Sequence, residues 1–153
     1  MNTAFDFVST DDKPALIAFS TPEWLQEAKT ALQELGYKVH TAATHSDFFV
    51  RFSQVHYQVV IIEELFGATK PEENQSLIAL RKMSSGQRRH ATVVLLGENF
   101  ATFDPMQAFQ QSVHAVINIS ELTLFQQLVE KAVADNHLFL QSFREVQNNV
   151  SRL

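Results

Sequence analysis

Two adjacent glutamates, Glu63 and Glu64, follow the most apolar short segment of the chain, Tyr57-Gln58-Val59-Val60-Ile61-Ile62. Such a segment is typical of a strand buried in a sheet, and a carboxylate at its end can bind a metal ion or accept hydrogen bonds from backbone N–H groups. Two hydroxyl side chains, Ser20 and Thr21, follow another apolar run, where a phosphate-binding loop could begin. The proline, glutamate and tryptophan that come next are too bulky for such a loop, so this part of the sequence does not favour phosphate binding.

The histidines do not form a metal-binding pattern. No two of them are four residues apart, as a pair on one helix face would be, and the chain has no cysteine to join them. We therefore expect no metal and no other cofactor. The six histidines are His40, His45, His56, His90, His114 and His137.

Composition excludes several classes of protein. The chain has 153 residues, of which 45% are hydrophobic and 19% charged, as expected of one packed domain. Its net charge of −5 argues against a nucleic-acid partner. No apolar run approaches the roughly 18 residues of a membrane-spanning helix, and the first residues lack the pattern of a signal peptide. We expect a cytoplasmic protein with no membrane partner.

A basic stretch contains Arg81-Lys82 and Arg88-Arg89-His90. It could form a docking patch for an anion or a protein partner, because clustered positive charge attracts both. It could also be a solvated loop between the third helix and the fourth strand, and we favour this second interpretation.

Strand-like and helix-like segments alternate five times along the chain, and the connections are too long for hairpins. This alternation predicts a flavodoxin-like, doubly wound sheet of five parallel strands with helices on both faces, an α/β fold. We expect a flexible tail over residues 1–13, the domain over 14–136 and a helical extension over 137–153. The predicted strands are residues 15–19, 37–42, 57–62, 92–96 and 114–119.

The order and spacing of these elements resemble the receiver domain of two-component response regulators. The segments PALIAFSTPEWLQEAKTALQELGYKV and YQVVIIEELFG carry the resemblance, which covers roughly residues 14–135. It implies a site at the carboxyl ends of the strands, where an acidic pair holds Mg²⁺, an aspartate accepts the phosphoryl group, and a hydroxyl and a lysine contact that group.

The matching positions of this chain lack those residues. Phe19 and Ser20 stand at the acidic pair, Glu63 at the phosphoacceptor, Gly97 at the hydroxyl and Ile119 at the lysine. A lone glutamate is a poor Mg²⁺ site, and glycine and isoleucine offer no charge or side-chain donor to a transferring phosphoryl group. We therefore expect a degenerate receiver, or pseudo-receiver, that has no catalytic residue and is not an enzyme.

Glu63 has two further interpretations. Its carboxylate could act as a permanent mimic of a phosphorylated aspartate. It could instead be solvated or hydrogen-bonded to backbone N–H groups, which we favour because Gly97 and Ile119 cannot recognise a mimic.

The last segment has an apolar heptad repeat with Asn136 at one a position. Such a repeat is typical of a coiled coil. Beyond the domain the apolar stripe narrows, and a narrow exposed stripe favours a partner helix. We expect a homodimer, with a parallel helix pair held in register by Asn136; the extension could also fold back on its domain or fray. The residues expected to form the contact are Phe139, Phe143, Val146, Val150 and Leu153.

The sequence thus favours a phosphorylation-independent signalling module that contacts protein partners and self-associates through its last helix. One alternative is a sensor of a small ligand, a nucleotide or another anion, in the crevice at the carboxyl ends of the strands. A further alternative is an intact phosphotransfer receiver with unusual residues.

Overall fold

The predicted strands form one parallel sheet in the computed structural model, which describes residues 7–151 apart from the side chain of Ser151. The strands are β1 Pro14–Ala18, β2 Lys38–Ala42, β3 Val59–Glu63, β4 Thr92–Gly97 and β5 Ala115–Asn118. Their order in the sheet is β2-β1-β3-β4-β5, and every pair is parallel. The flavodoxin-like, doubly wound sheet is confirmed, with strand ends that differ from the prediction by up to two residues.

The helices are α1 Pro22–Glu34, α2 His45–Gln54, α3 Gln75–Lys82, α4 Ser85–Arg88, α5 Pro105–Gln111 and α6 Phe125–Ser151, with 3-10 turns at Pro71–Glu73 and Ile119–Leu124. Side chains satisfy the first N–H groups of several of them. Thr44 accepts from the N–H of Asp47, and Asn74 accepts from that of Leu77. Gly36 ends α1 with φ +89°, a conformation that favours glycine.

Helices cover both faces of the sheet. All residues of β1, β3 and β4 are buried, because these strands lie between neighbours and under helices on both sides. Helices α1 and α6 pack on one face, where Leu32 and Val129 contribute to the core. Helices α2, α3 and α5 pack on the other, with Phe48 and Leu77 among the buried side chains. The sheet therefore leaves only its edges and the ends of its strands open to partners.

Helix α6 has two parts with different surroundings. Phe125, Val129 and Ala132 are almost fully buried against the sheet, whereas the apolar residues after Asn136 are largely exposed. A 3-10 turn at Ile119–Leu124 precedes the helix, and within it the N–H of Ser120 donates to the side chain of Asn118. No helix within residues 7–151 is both long and apolar enough to cross a membrane.

The predicted role of Asn136 in a helix pair is wrong. Its side chain is 5% exposed, and its Nδ2 donates to Oγ1 of Thr92 on β4 at 2.9 Å. The heptad repeat continues through this residue, but the first half of the repeat faces the chain's own sheet. Asn136 therefore fixes α6 to its own domain and is not available to set a register with a second helix.

The buried position of Val60 on β3 gives a test of the fold. Truncating Val60 or its neighbour Ile61 to Ala should lower the free energy of unfolding by about 2–4 kcal/mol, since both side chains are fully buried. The matched control is Val50→Ala on α2, where the valine is 49% exposed and the loss should stay below about 0.5 kcal/mol. Denaturant melts measure all three. Equal losses at Val60 and Val50 would contradict the central position of β3.

Candidate functional site

The carboxyl ends of β1, β3, β4 and β5 meet at one edge of the domain, where the resemblance places a phosphorylation site. Phe19 is 4% exposed and belongs to the core under α1 and α6, and Ile119 packs against the same core. Neither side chain presents a polar atom at this edge. Ser20 and Glu63, in contrast, are brought into direct contact.

The Glu63 carboxylate is held by the loop between β1 and α1. Its Oε2 accepts from the N–H of Ser20 at 2.8 Å and from the N–H of Thr21 at 3.2 Å, and its Oε1 accepts from Oγ1 of Thr21 at 2.9 Å. The side chain is 6% exposed, so these bonds replace water around the charge. This is the backbone-bonded arrangement that the sequence favoured over a mimic of phosphoaspartate. Thr21 was not singled out as a partner from the sequence.

A second set of hydrogen bonds ties the loop after β3 to its surroundings. The N–H of Gly67 donates to Oγ of Ser20 at 2.8 Å. The buried Asn74 donates from Nδ2 to the carbonyl oxygens of Glu63 and Glu64 at 3.1 and 3.0 Å. Asn74 is fully buried. The one signal for it in the sequence is its position directly before an apolar helix, where asparagine often caps the first turn. Hydrogen bonds from neutral donors, and one carboxylate acceptor, thus hold the loops after β1 and β3 together.

An aromatic ring occupies the position where a receiver needs a hydroxyl. A Cβ atom built on Gly97 would lie 2.8 Å from Cε2 of Phe100 and 3.1 Å from Oε1 of Glu64. Such approaches are shorter than van der Waals contact, so a side chain at Gly97 would have to displace the Phe100 ring. Glycine at this position therefore permits the ring to pack over the end of β4.

The side-chain amide of Asn118 fixes the end of β5. The next residue, Ile119, stands at the position of the receiver lysine. Asn118 donates from Nδ2 to the carbonyl oxygen of Phe100 at 2.7 Å, and its N–H donates to Oγ1 of Thr102 at 2.9 Å. The Thr102 hydroxyl donates in turn to Oε1 of Glu121 at 2.7 Å. These contacts hold the loop after β4 against the loop after β5. They join residues far apart in the chain, so the sequence pattern did not reveal them.

The crevice that remains at this edge has a volume of about 60 Å³ and is lined by Glu63, Glu64 and Glu98 among other residues. Burial raises the pKa of Glu64; the Arg81 charge opposes this shift and the Glu72 charge adds to it. Ligand pockets usually measure about 300–1,000 Å³. The small volume and the carboxylate lining do not favour a nucleotide or another anion. Within residues 7–151, no three His, Cys, Asp or Glu side chains are placed to hold a metal ion.

His45 and Ser76 resemble a base and a nucleophile, since His45 Nδ1 lies 2.8 Å from Ser76 Oγ. Ser76 is fully buried, so its hydroxyl cannot reach a substrate. The same His45 nitrogen also accepts from the backbone N–H of Ser76 at 3.2 Å. The pair therefore joins α2 to α3 and has a structural role.

The arginines of the basic stretch bind the ends of helices. Arg81 and Arg88 donate to the C-terminal end of α5, and Arg89 donates to that of α2. The solvated-loop interpretation is therefore wrong for Arg88 and Arg89, which are half-buried, whereas Arg81 is exposed on α3. Their acceptors are the carbonyl oxygens of Gln111 for Arg81, Ser112 for Arg88, and Phe52, Ser53 and Val55 for Arg89.

The fold is similar to those of solved response regulators. A response regulator from Hahella chejuensis matches with a TM-score of 0.59 at 16% identity, over 82% of this chain and 95% of that one. A CheY-like receiver domain protein from Methanospirillum hungatei matches with 0.63 at 14%, over 83% and 98%. A chain in which a trimeric coiled-coil segment of yeast Spc42 is fused to another sequence matches with 0.64 at 16%, over 94% and 95%. No protein-family model and no curated protein matches the sequence. The chain has the receiver fold.

Replacing the Glu63 carboxylate by an amide tests its part in closing the edge. Glu63→Gln should lower the free energy of unfolding by about 1–3 kcal/mol at pH 7, because the amide oxygen can still accept from the N–H groups of Ser20 and Thr21 but lacks the negative charge that strengthens those bonds. Glu98→Gln is the matched control, since Glu98 is an exposed carboxylate beside the same crevice. Denaturant melts of both variants and the wild type measure the two changes in the free energy of unfolding. The same small loss in both would mean that Glu63 does not hold the loop.

Proposed function

We propose that this chain is a phosphorylation-independent signalling module of the receiver type, which contacts protein partners and self-associates through α6. The observation that carries the first part is the closed edge at the carboxyl ends of the strands. There the single carboxylate of Glu63 is already hydrogen-bonded by Ser20 and Thr21. A phosphoryl group bound at this edge would have to displace those bonds.

The residues around Glu63 give little support to phosphoryl transfer. The reaction requires Mg²⁺ and preorganised positive charge or donors aimed at the transferring group. Phe19 and Ile119 are packed in the apolar core, and the Phe100 ring lies over Gly97. Glu64 and Glu98 also line the crevice, and no lysine or arginine is among its lining residues.

The apolar stripe on the extension supports self-association. Phe139, Phe143, Val146 and Val150 are 67%, 51%, 60% and 63% exposed. Their spacing of four, three and four residues places them on one side of the helix. Leu153, the last residue expected in the contact, lies outside the described residues. This stripe lies on the part of α6 that extends beyond the sheet. A second copy of the same helix could pack against it.

The energetics allow a weak dimer. Full burial of such side chains stabilises by about 1.5–3 kcal/mol each, and both helices contribute. Lost translational and rotational freedom and fraying of the helix ends oppose association by several kcal/mol or more. Affinity in the micromolar range, about −8 kcal/mol, is the expected balance. Phenylalanine at the core positions fits a two-stranded coil less well than leucine or isoleucine, so the helix pair should be looser than a regular zipper.

One structural comparison supports the same proposal. The fusion with the yeast Spc42 coiled coil spans 94% of this chain, a larger share than residues 1–136 could supply. The match therefore includes part of the extension. The coiled coil in that fusion is described as trimeric, so a trimer is the closest alternative assembly to the dimer that we propose.

Phosphorylation independence predicts that the protein does not take up a phosphoryl group. Incubation with acetyl phosphate and Mg²⁺ should leave the intact mass unchanged, because the edge lacks the acidic pair, hydroxyl and lysine. A receiver domain known to be phosphorylated serves as the positive control. A labile gain of one phosphoryl mass that disappears in Glu63→Gln would contradict the proposal.

Self-association predicts a dimer whose formation depends on the stripe. Light scattering behind a sizing column at tens of micromolar protein should report a dimer for the full chain. A monomer is expected for Phe143→Glu and for a chain ending at His137. Gln141→Glu is the matched control, because Gln141 lies on the opposite side of the helix and should leave the dimer intact.

A monomeric full chain under these conditions would contradict self-association. A dimer that persists in Phe143→Glu would assign the contact to another surface. A trimer that is lost in Phe143→Glu would confirm the stripe and correct the number of copies.

A further inference from the structure

The apolar stripe on the extension lies on the same side of α6 as the residues that pack on the sheet. Helix α6 is continuous from its start to the end of the described chain. Four of its buried residues are spaced by four, three and four positions, namely Phe125, Val129, Ala132 and Asn136. Phe139, the first residue of the stripe, comes three positions after Asn136, and the stripe repeats the spacing of four, three and four. This unbroken repeat keeps all these side chains on one face of the helix. A second helix on the stripe must therefore approach from the side where the first copy has its own domain.

A parallel pair of these helices does not fit beside the domain. Paired helices lie about 8–10 Å apart between their axes. In a parallel pair, the second helix would run along the whole buried face of the first, where Val129 packs on the sheet with no exposed surface. The second helix would thus occupy the space of the first copy's sheet. Sliding it toward the end of the extension does not help, because its own domain would then meet the first helix.

An antiparallel pair avoids both overlaps. The second helix then runs toward the first domain and ends beside it, while its own domain lies beyond the end of the first helix. The surface of the domain is recessed at this point, since Phe139 lines two cavities, one of about 580 Å³ beside α5 and one of about 180 Å³ beside α4. The end of the second helix therefore has room next to Phe139.

The sizes of the stripe residues also favour the antiparallel orientation. The spacing of four, three and four is the same in both directions, so the residues of a reversed copy lie opposite those of the first. Reversal places Phe139 opposite Val150 of the second copy, and Phe143 opposite Val146 of the second copy. Each layer of the contact then combines one phenylalanine with one valine. A parallel pair would have two layers of paired phenylalanines and two of paired valines, which would crowd the first two layers and leave space in the others.

The charged residues of the extension do not set the orientation. Over the described residues 137–151, these are Arg144 and Glu145. Both lie on the side of the helix away from the stripe, since an α-helix turns by about 100° per residue. The packing of the apolar side chains is therefore what distinguishes one orientation from the other.

We infer that α6 pairs with α6 of a second copy in the antiparallel orientation, with Phe139 against Val150 and Phe143 against Val146 in both directions. This orientation replaces the parallel pair expected from the sequence, because the position of the domain excludes that pair. The inference rests on the proposed self-association and adds to it the orientation and the residue pairs.

The antiparallel pair also fixes where the strand-end edges lie. The extension leaves the domain beside His90 and His114, which lie just before β4 and β5. It therefore projects from the amino ends of the strands, opposite the closed edge at their carboxyl ends. In the antiparallel pair the closed edges of the two copies point away from each other.

Cysteine cross-linking tests the pairing, because the chain has no cysteine of its own. The full-chain variants Phe139→Cys and Val150→Cys are purified separately, then oxidised alone and as an equal mixture at tens of micromolar. We expect the mixture to give mainly a linked dimer with one chain of each variant, which its intact mass identifies. Each variant alone should cross-link poorly. The two copies of the same residue at an end of the stripe lie about 16 Å apart in an antiparallel pair, and a disulfide spans at most about 7 Å between Cα atoms.

Gln141→Cys is the matched control and should not cross-link with either variant, since Gln141 lies on the opposite side of the helix. Equal or greater linkage of each variant to its own kind would overturn the antiparallel pair and leave the stripe as the contact. A trimer would overturn it in the same way. A monomeric wild type in light scattering would instead contradict self-association itself, and the pairing with it.

A distance measurement tests the same orientation with the stripe intact, should Phe139→Cys weaken the dimer. A spin label on Glu98→Cys reports the separation of the two strand-end edges, because Glu98 is exposed there. The middle of the pair lies about 20 residues, or about 30 Å, from the start of α6, so the two labels should be about 60 Å apart or further. Domains side by side would bring the labels within about 40 Å of each other, and that distance would overturn the inference.

Discussion

The contact between the Glu63 carboxylate and the β1–α1 loop is the interaction on which the functional edge of this domain depends. Parallel strands bring their carboxyl ends, and the first turns of the following helices, to one edge, where backbone N–H groups need acceptors. Here the acceptor is a side chain of the sheet itself, bonded to Ser20 and Thr21. Asn74 and Asn118 fasten the neighbouring loops in the same way. The donors of the β1–α1 loop are therefore satisfied by side chains of the domain itself.

Helix α6 offers a surface for partners away from this closed edge. The first half of the helix is a structural part of the domain, and the Asn136–Thr92 hydrogen bond marks where that part ends. The second half presents phenylalanine and valine to solvent. One continuous helix thus joins a rigid sheet to an exposed apolar stripe. Association through the stripe, as proposed, would bring the domains of two copies together.

The sequence predicted the fold well because apolar runs such as Val59–Glu63, alternating with helical segments, are typical of a parallel sheet covered by helices. It predicted the composition of the strand-end edge, but not its contacts. Phe100 over Gly97 and Thr102 with Glu121 depend on how two loops meet, which no local pattern encodes. The heptad repeat also misled at Asn136, since packing on a sheet and packing on a second helix require the same spacing of apolar residues.

The central claim is that the strand-end edge is closed and does not respond to phosphoryl chemistry. Its most direct test is to record the amide resonances of Ser20, Thr21 and Gly97 in ¹H–¹⁵N spectra, with and without Mg²⁺ and the phosphoryl analogue beryllofluoride. We predict that all three resonances stay in place, and that the Ser20 and Thr21 amides exchange slowly with solvent in both conditions because Glu63 accepts from them. Saturable shifts at these three residues on adding the analogue, absent with Mg²⁺ alone, would contradict the account.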